Sequence, residues 1–553
     1  MAAPTAEPTP QHPAGESPPA TELGHRPAPQ PALSAAAVTG ARHSGRPVLD
    51  AGRGQPNWIA LTPRAAFFRL GAFAVAEAEA AGSPAAGDPY WGRTPVAAGI
   101  ADRLAAALAA DHGADPDGSA GEAARFLAAA VDWVVTELGA DPDELVGEWV
   151  RAVLGDGYPS PTRMLRHCEH VLERYVVDIT GAVSESGEPG PPGRFHVFAT
   201  EGGAAAMAYT FRSLKENGFF GPGDKVAIAA PVFTPYLQIP ALADFGLEIV
   251  EVQAAPNKAY RFEPGVLTEA LRDPAIKAFM VINPGNPDTR AMRPERLQEI
   301  AGLIATERPD LVVVADTVYA TFVEDFRGLL AEVPRNVICL HSFSKNFGAT
   351  GNRLGFVAVA ADTALDELLA ARPEAERAAL ADRYHSVTRD PAALPFVSRM
   401  VADSREVALH NIAGLATPDQ VQMTLFALAH LLPEGAAHVG SLRSELQERL
   451  AALLGPLGVE APGGQDTLYY ALVDLEAVAR VRHGETGVER LRAADAAQVP
   501  VNLATEHGVV VLPGAGFGAP TWDVRVCLAA LQADDLRRIA EAIVRVVDDL
   551  TAE

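Results

Sequence analysis

The spacing of apolar positions changes character along this chain. From about residue 190 to 362, short and nearly continuous apolar runs alternate with helix-length stretches. The runs are KVAIAAP (225–231), AFMVINP (278–284), LVVVAD (311–316), VICLHSF (337–343) and GFVAVA (355–360). Strands apolar on both faces and separated by helices predict an α/β domain with a large, mostly parallel sheet covered on both sides, here placed over residues 181–410. Before it, residues 46–180 read as an arm followed by helices. Phe67, Leu70, Phe73 and Ala74 fall at helical spacing, and Leu104, Leu108, Phe126, Val131, Trp133 and Val134 form the expected core. After it, LYYALVDL (468–475), GVVVLPG (508–514) and WDVRVCLAAL (522–531) alternate with helices. The last helix carries Leu536, Ile539, Ile543, Val547 and Leu550, so residues 411–553 are expected to form a smaller α+β domain. Residues 1–45 are rich in Pro and Ala without an apolar period, and are expected to be a disordered tail.

Composition narrows the function classes. Against 45 Lys and Arg stand 70 Asp and Glu, a formal charge of −25 that opposes nucleic acid or an anionic membrane as main partner. The three cysteines, Cys168, Cys339 and Cys527, are too few and too widely spaced for a disulfide framework or a zinc site, which points to a reducing cytoplasm. No basic segment followed by an apolar run opens the chain, so no signal peptide is expected, and no stretch approaches the ~20 apolar residues of a spanning helix.

In a mostly parallel sheet, ligands bind beyond the carboxyl ends of the strands, and these ends carry polar residues in an ordered series. FATEGGAAAMAYTF places Gly202, Gly203 and Ala204 where a helix opens, which suits either an anion site or a plain tight turn. Phe233 follows the run at 225–231 and suits either stacking on a flat heterocycle or the core. Asn283 and Asn286 lie in the Pro-rich turn NPGNPDT, where a side-chain amide could reach a ring oxygen or simply serve the turn. Asp316 closes an apolar strand and needs a partner, for which a pyridinium N–H or the cap of a following helix would serve; Tyr319 is three residues on. Lys345 follows the strand at 337–343, flanked by Ser342 and Ser344, with Arg353 beyond. A desolvated lysine is a good imine former, while hydroxyls and a guanidinium suit a phosphate dianion. Singly each is ordinary; the order of all of them is not.

The stretch Ser342-Phe343-Ser344-Lys345 with Gly348, Gly351, Arg353 and Gly355 resembles the lysine signature of the class I and II aminotransferases, the fold type I pyridoxal 5′-phosphate (PLP) enzymes. The resemblance implies PLP as cofactor, Lys345 as Schiff-base lysine and proton shuttle, and Asp316 on the pyridine nitrogen. It also implies Asn286 and Tyr319 on the ring oxygen, Phe233 against the ring face, and Gly202, Gly203, Ala204, Ser342, Ser344 and Arg353 around the phosphate. Arg525, in VRVCLA, resembles the arginine that binds the substrate α-carboxylate. Tyr158, in GYPSPTRML, resembles a residue that reaches the phosphate of a neighbouring subunit, so a homodimer or larger homo-oligomer is expected.

Within that family the segments AGRGQPNWIALTPRAAFFRLG, FATEGGAAAMAYTFRSLKENG, PVFTPYLQIP, FSKNFGATGNRLG, RMVADSREVAL and AGLATPDQVQM are similar to the aspartate 4-decarboxylases, bifunctional aspartate aminotransferases. This implies aspartate converted to alanine and carbon dioxide, or amino transfer to a 2-oxo acid, with Arg53 on the substrate's second carboxylate. The chain departs from that pattern at Gln55, Ala204, Gly285, Asn352, His410 and Asn411, several of these being smaller residues. A pocket opened at Ala204 and Asn352 would suit a rival reading: natural-product (antibiotic) biosynthesis, with elimination and carbon–carbon bond formation on a larger amino acid such as S-adenosylmethionine. A PLP-binding regulator is opposed by the intact set Lys345, Asp316 and Arg525.

Overall fold

A computed structural model describes Thr39 and residues 47–82, 91–115, 118–157, 163–183, 193–407, 414–460 and 466–552. Apart from Thr39, the tail expected over 1–45 lies outside them. So do Tyr158, His410 and Asn411.

The arm forms a two-residue strand β1 (Leu49–Asp50) and then runs into helix Thr62–Ala80, where Pro63 occupies the first turn and lacks the N–H that would go unpaired there. Helices Ile100–Ala114, Ser119–Leu138, Pro142–Leu154 and Arg166–Thr180 follow. Leu70, Ala74, Leu104, Leu108 and Val134 are buried as expected. Phe126, Val131 and Trp133 are only half-buried, because the buried stripe of their helix runs Ala123, Ala124, Leu127, Ala130, Val134. Small side chains there let neighbouring helices approach closely, and the bulky ones lie on the stripe's flank.

Next comes the seven-stranded sheet: β2 (Phe195–Thr200), β3 (Lys225–Ala230), β4 (Glu248–Gln253), β5 (Ile276–Ile282), β6 (Val312–Asp316), β7 (Val337–Ser342) and β8 (Gly355–Ala360), in the order β2-β8-β7-β6-β5-β3-β4. Only β8 pairs antiparallel with its neighbours; β4-β3-β5-β6-β7 are parallel. The five apolar runs are all strands. The run criterion misses both edge strands, β2 (FHVFAT), which carries His196, and β4 (EIVEVQ), where polar residues alternate with apolar ones. Alternation also divides the cores. Phe279, Val281, Val313, Ala315 and Cys339 face the N-terminal helices, while Met280, Ile282, Val312, Val314 and Leu340 face the C-terminal elements.

The C-terminal part contributes β9 (Tyr470–Asp474), β10 (Val509–Val510), β11 (Leu512–Pro513) and β12 (Asp523–Cys527). Here β11, β12 and β9 form an antiparallel sheet, and β10 pairs in parallel with β1. Helix Ala533–Thr551 buries Leu536, Ile539, Ile543 and Val547, with Leu550 at the margin. The arm is thus stitched to the far end of the chain. Arg449, buried on helix Glu434–Leu457, reinforces the join by donating to the carbonyls of Leu528 (3.1 Å) and Ala529 (3.2 Å) and to Asn57 Oδ1 (3.0 Å). Removing its charge-assisted hydrogen bonds takes a donor from the buried Leu528 carbonyl and leaves the Ala529 carbonyl with the Asn57 N–H (2.9 Å). Arg449→Ala is therefore expected to lower the free energy of urea unfolding by about 2–4 kcal/mol; an unchanged midpoint would show that water replaces the guanidinium without cost.

Candidate active site

The register brings the predicted strand ends level. Asp316 pairs with Ile282 of β5 on one side and Leu340 of β7 on the other, so the turns carrying Asn286, Asp316 and Lys345 open on the same edge of the sheet. They open into a cleft of about 590 Å³, lined among others by Arg53, Gly203, Phe233, Asn286, Asp316, Tyr319, Ser342, Ser344, Lys345, Arg353 and Arg525. Sites for small molecules and cofactors commonly have such a size and position.

Asp316 Oδ1 accepts from Val318 N (3.0 Å) and Oδ2 from the Tyr236 hydroxyl (3.1 Å). Burial pushes this carboxyl up to about 6, against the pull of those two donors and of Lys345. Lys345 is affected in the opposite direction. Burial lowers its amine to about 8, with Arg525 and Arg353 acting in the same sense and Cys527 and Asp316 against it. Lys345 Nζ donates to the carbonyl of Gly54 at 2.7 Å. Gly54 tolerates no side chain, because a Cβ there would lie 2.4 Å from the Tyr470 hydroxyl and 3.0 Å from Lys345 Nζ.

Ser342 Oγ donates to Ser344 Oγ (2.9 Å) at the mouth of β7, opposite Gly203, which starts helix Gly203–Glu216. Arg353 donates to the carbonyls of Thr350 (3.0 Å) and Glu201 (3.3 Å). Its guanidinium lies over Gly202, whose φ of +86° favours glycine and where a Cβ would stand 2.5 Å from Arg353 Nη2. Gly202 therefore shapes the cup from beneath and does not line the cleft. Ala204 does not line it either; it is exposed on the helix. Hydroxyls, one guanidinium and a helix N-terminus together make a dianion cup.

At the other end Arg525, on β12, donates from Nη1 to Asn286 Oδ1 (3.1 Å) and from Nη2 to the carbonyl of Gly52 (2.6 Å). It lies between the rings of Tyr470 (4.4 Å) and Phe517 (4.7 Å), and its buried Nε has no hydrogen-bond partner among the described residues. Asn286 Nδ2 faces the Tyr319 hydroxyl at 3.5 Å, and that hydroxyl meets the Tyr470 hydroxyl at 2.9 Å. Burial raises both phenols, Tyr470 to about 12, so both stay protonated. Arg53 stands at the mouth with its side chain 67% exposed, paired with Asp50 at 3.3 Å. Asn283 faces away from this cleft: its Oδ1 accepts from Met292 N (2.8 Å), and it lines a separate small cavity with Asp288 and Arg290.

Gly52, Gly54, Tyr236, Gln238 and Tyr470 belong to the site without having been singled out. The glycines act through carbonyl oxygens, which any residue carries, and Tyr470 sits in an aromatic strand that reads as core. The departures from the aspartate 4-decarboxylase pattern also take a different meaning. Asn352 donates to Gln422 Oε1 (2.8 Å), Gly285 lines the separate cavity, and of the described departures only Gln55 lines the cleft. An opening of the pocket at Ala204 and Asn352 is therefore not what the residues around the cleft show.

A mostly parallel sheet with a lysine, an aspartate and a dianion cup at its carboxyl edge defines a fold type I PLP-dependent enzyme. Residues 196–543 match the family model "Aminotransferase class I and II", and the chain belongs to that family. It is 39% identical over 511 residues to a bifunctional aspartate aminotransferase and L-aspartate beta-decarboxylase of Pseudomonas sp, covering 91% of this chain and 93% of that one. It is 26% identical to an aspartate aminotransferase of Bacillus sp. (strain YM-2), over 62% of this chain and 74% of the other. A solved aspartate aminotransferase of Thermus thermophilus, a double mutant, shares the fold with a TM-score of 0.57 at 18% identity, over 96% of this chain and all of that one. Among the described residues no helix is long and apolar enough to cross a membrane.

The raised Asp316 carboxyl has a stability consequence of definite sign. The folded state holds its proton more tightly than the unfolded one. The cost is therefore absent below about pH 4, grows as pH rises towards 6, and is full above it, at roughly 2–3 kcal/mol. Cofactor-free Asp316→Asn protein is expected to be about 1–3 kcal/mol more stable than its parent at pH 8 and no more stable at pH 4. Urea titrations at the two pH values check this, and equal gains at both would contradict it.

Proposed function

We propose that this enzyme acts on aspartate, removing its 4-carboxylate to give alanine and carbon dioxide, or transferring its amino group to a 2-oxo acid. Three guanidinium groups line the cleft; the observation that carries this reading is the two that remain once Arg353 is given to the dianion cup, Arg525 deep and Arg53 at the mouth, with Lys345 also facing them. A substrate with two carboxylates matches that pair, and the extended similarity to the Pseudomonas enzyme supports the same substrate.

The cleft residues fit PLP. The enclosed Asp316 carboxylate has two neutral donors as its hydrogen-bonding partners among the described residues, and its elevated value answers to a missing cation such as a protonated ring nitrogen. Ser342, Ser344, Arg353 and the Gly203 helix start would hold the phosphate, and Gly202 and Ala204 would border it. Phe233 would flank the ring, and Asn286 and Tyr319 would donate to its oxygen. When bound, PLP supplies an electron sink for charge left on the substrate's α-carbon and, after proton relocation, on its β-carbon.

The chain's own residues do the rest. Arg525 fixes the α-carboxylate in an orientation already set by Asn286, Gly52 and two aromatic rings. The free Lys345 amine would take the α-proton and return it elsewhere, a task suited to a base near 8. Arg53 exchanges Asp50 for the substrate's second carboxylate. Tyr158 would reach across to a second copy in a homodimer or larger homo-oligomer, and a cytoplasmic setting agrees with three buried free thiols.

Purified enzyme given aspartate is expected to release carbon dioxide and alanine in equal amounts; formation of neither, together with no amino transfer from aspartate to a supplied 2-oxo acid, would remove the assignment. Arg53→Ala is expected to raise KM for aspartate by about two- to fivefold while leaving a monocarboxylic amino acid little affected. Lys345→Ala should abolish the visible absorbance of the lysine-linked cofactor. Activity should rise with pH through about 8 as the Lys345 amine loses its proton.

A further inference from the structure

Lys345 sits in a turn whose backbone is held from outside the sheet. Four successive carbonyls, those of Lys345, Asn346, Phe347 and Gly348, accept hydrogen bonds from the arm. The Trp58 indole Nε1 reaches Lys345 O (3.1 Å) and Asn346 O (3.0 Å). Arg64 reaches Phe347 O through Nη1 and Gly348 O through Nη2, each at 3.0 Å. The backbone N–H of Ala60 adds a second bond to Phe347 O (3.2 Å). The approach is close: Gly348 has φ +58°, and a Cβ there would lie 1.9 Å from the Trp58 carbonyl oxygen. The same arm ends on the reacting groups, with the Gly54 carbonyl on Lys345 Nζ (2.7 Å) and the Gly52 carbonyl on Arg525 Nη2 (2.6 Å).

We propose that Trp58 and Arg64 are positioning residues for the proton transfer: they lock the Lys345–Gly348 backbone onto the arm, so that the Lys345 amine, when free of the cofactor, is held against the Gly54 carbonyl beside the substrate. This rests on the reading of Lys345 as the cofactor lysine.

The chemistry requires such a holder. A free lysine side chain has many rotamers, and a base must stay within hydrogen-bond reach of the proton it takes. The Gly54 carbonyl is a neutral acceptor. It accepts from the amine in either protonation state and leaves the nitrogen lone pair of the neutral form free for the substrate proton. The Tyr469 hydroxyl, donating to the same oxygen at 3.1 Å, fixes its direction. Around the amine stand Arg525 and Cys527 from β12, Asp316 from β6, Arg353, and the Tyr469 ring, 5.8 Å from Nζ. Trp58 is braced for the task by Phe322 (6.3 Å), by Tyr469 (5.9 Å) and by the Arg449 guanidinium, and Arg64 by Phe426 (4.9 Å).

The test uses cofactor-loaded Trp58→Phe, which keeps a ring and loses the donor, and Arg64→Gln, with Arg64→Lys as the milder variant should Arg64→Gln fold poorly. Three quantities are read: cofactor bound, KM for aspartate, and exchange of the substrate α-hydrogen with deuterium oxide as a function of pH. Bound cofactor and KM are expected to stay within about twofold of the parent while exchange falls roughly tenfold. The midpoint of exchange is expected to move to higher pH, because a loosened Lys345 regains water and its ordinary basicity. Exchange with parental rate and midpoint in both residues' variants would overturn the proposal, even if thermal stability fell, since the contacts would then be merely structural. A Lys345→Ala enzyme that kept its visible absorbance would overturn the underlying reading as well, and is recognisable separately.

Discussion

The architecture of the site depends on the desolvation of one amine. Taking the Lys345 ammonium out of water costs several kcal/mol, and the chain meets that cost partly by letting the amine become neutral near pH 8 and partly by giving it one acceptor, the Gly54 carbonyl. That acceptor does not come from the sheet. It requires an arm crossing the cleft, which in turn requires a residue without Cβ at position 54 and another at 348 for the arm to lie down. It also requires anchors at both ends: the β1–β10 pairing and the Ala51 and Asn57 backbone bonds on one side, Trp58 and Arg64 on the other. Asp316 faces the same problem with opposite charge: burial pushes its carboxyl up to about 6, and its two neutral donors and Lys345 offset that only in part. Both groups are held in states that bulk water would not favour. Such departures are common at catalytic sites.

What could be read from the sequence follows from how each residue acts. Lys345, Asp316 and Asn286 were legible because their side chains lie at or just past the ends of apolar runs, and a parallel sheet aligns those ends; Arg353 was legible through the signature around Lys345. The arm was legible as a segment but not as machinery. Gly52, Gly54 and the carbonyls of residues 345–348 contribute backbone oxygens, which leave no signature in residue type. Strand β4 escaped because an edge strand alternates, and Trp133 was placed too deep because alanines mark the buried stripe of its helix. Sequence proximity also misled at Gly285. It neighbours Asn286, yet it opens on a different cavity, because successive residues of a turn point to different sides.

Of the three arginines of the cleft, Arg525 and Arg53 differ in a way that bears on the reaction proposed for it. Arg525 is preorganised, held between two rings and bonded to Asn286 and Gly52, so it can bind a carboxylate that must stay in place throughout the reaction. Arg53 is largely exposed and tethered to Asp50, so its hold on a second carboxylate is weakened by water and by competition. For loss of carbon dioxide this asymmetry is favourable. The departing carboxylate sheds its charge as the bond to carbon breaks, and a dry, rigid cation would stabilise the ground state more than the transition state, raising the barrier. A wet, competed arginine selects the dicarboxylate without trapping it. Simple amino transfer makes no such demand, since both carboxylates survive it, and there a second rigid arginine would cost nothing. On the proposed assignment the stiff cation would stand at the carboxylate that remains and the loose one at the carboxylate that leaves, an arrangement that favours decarboxylation.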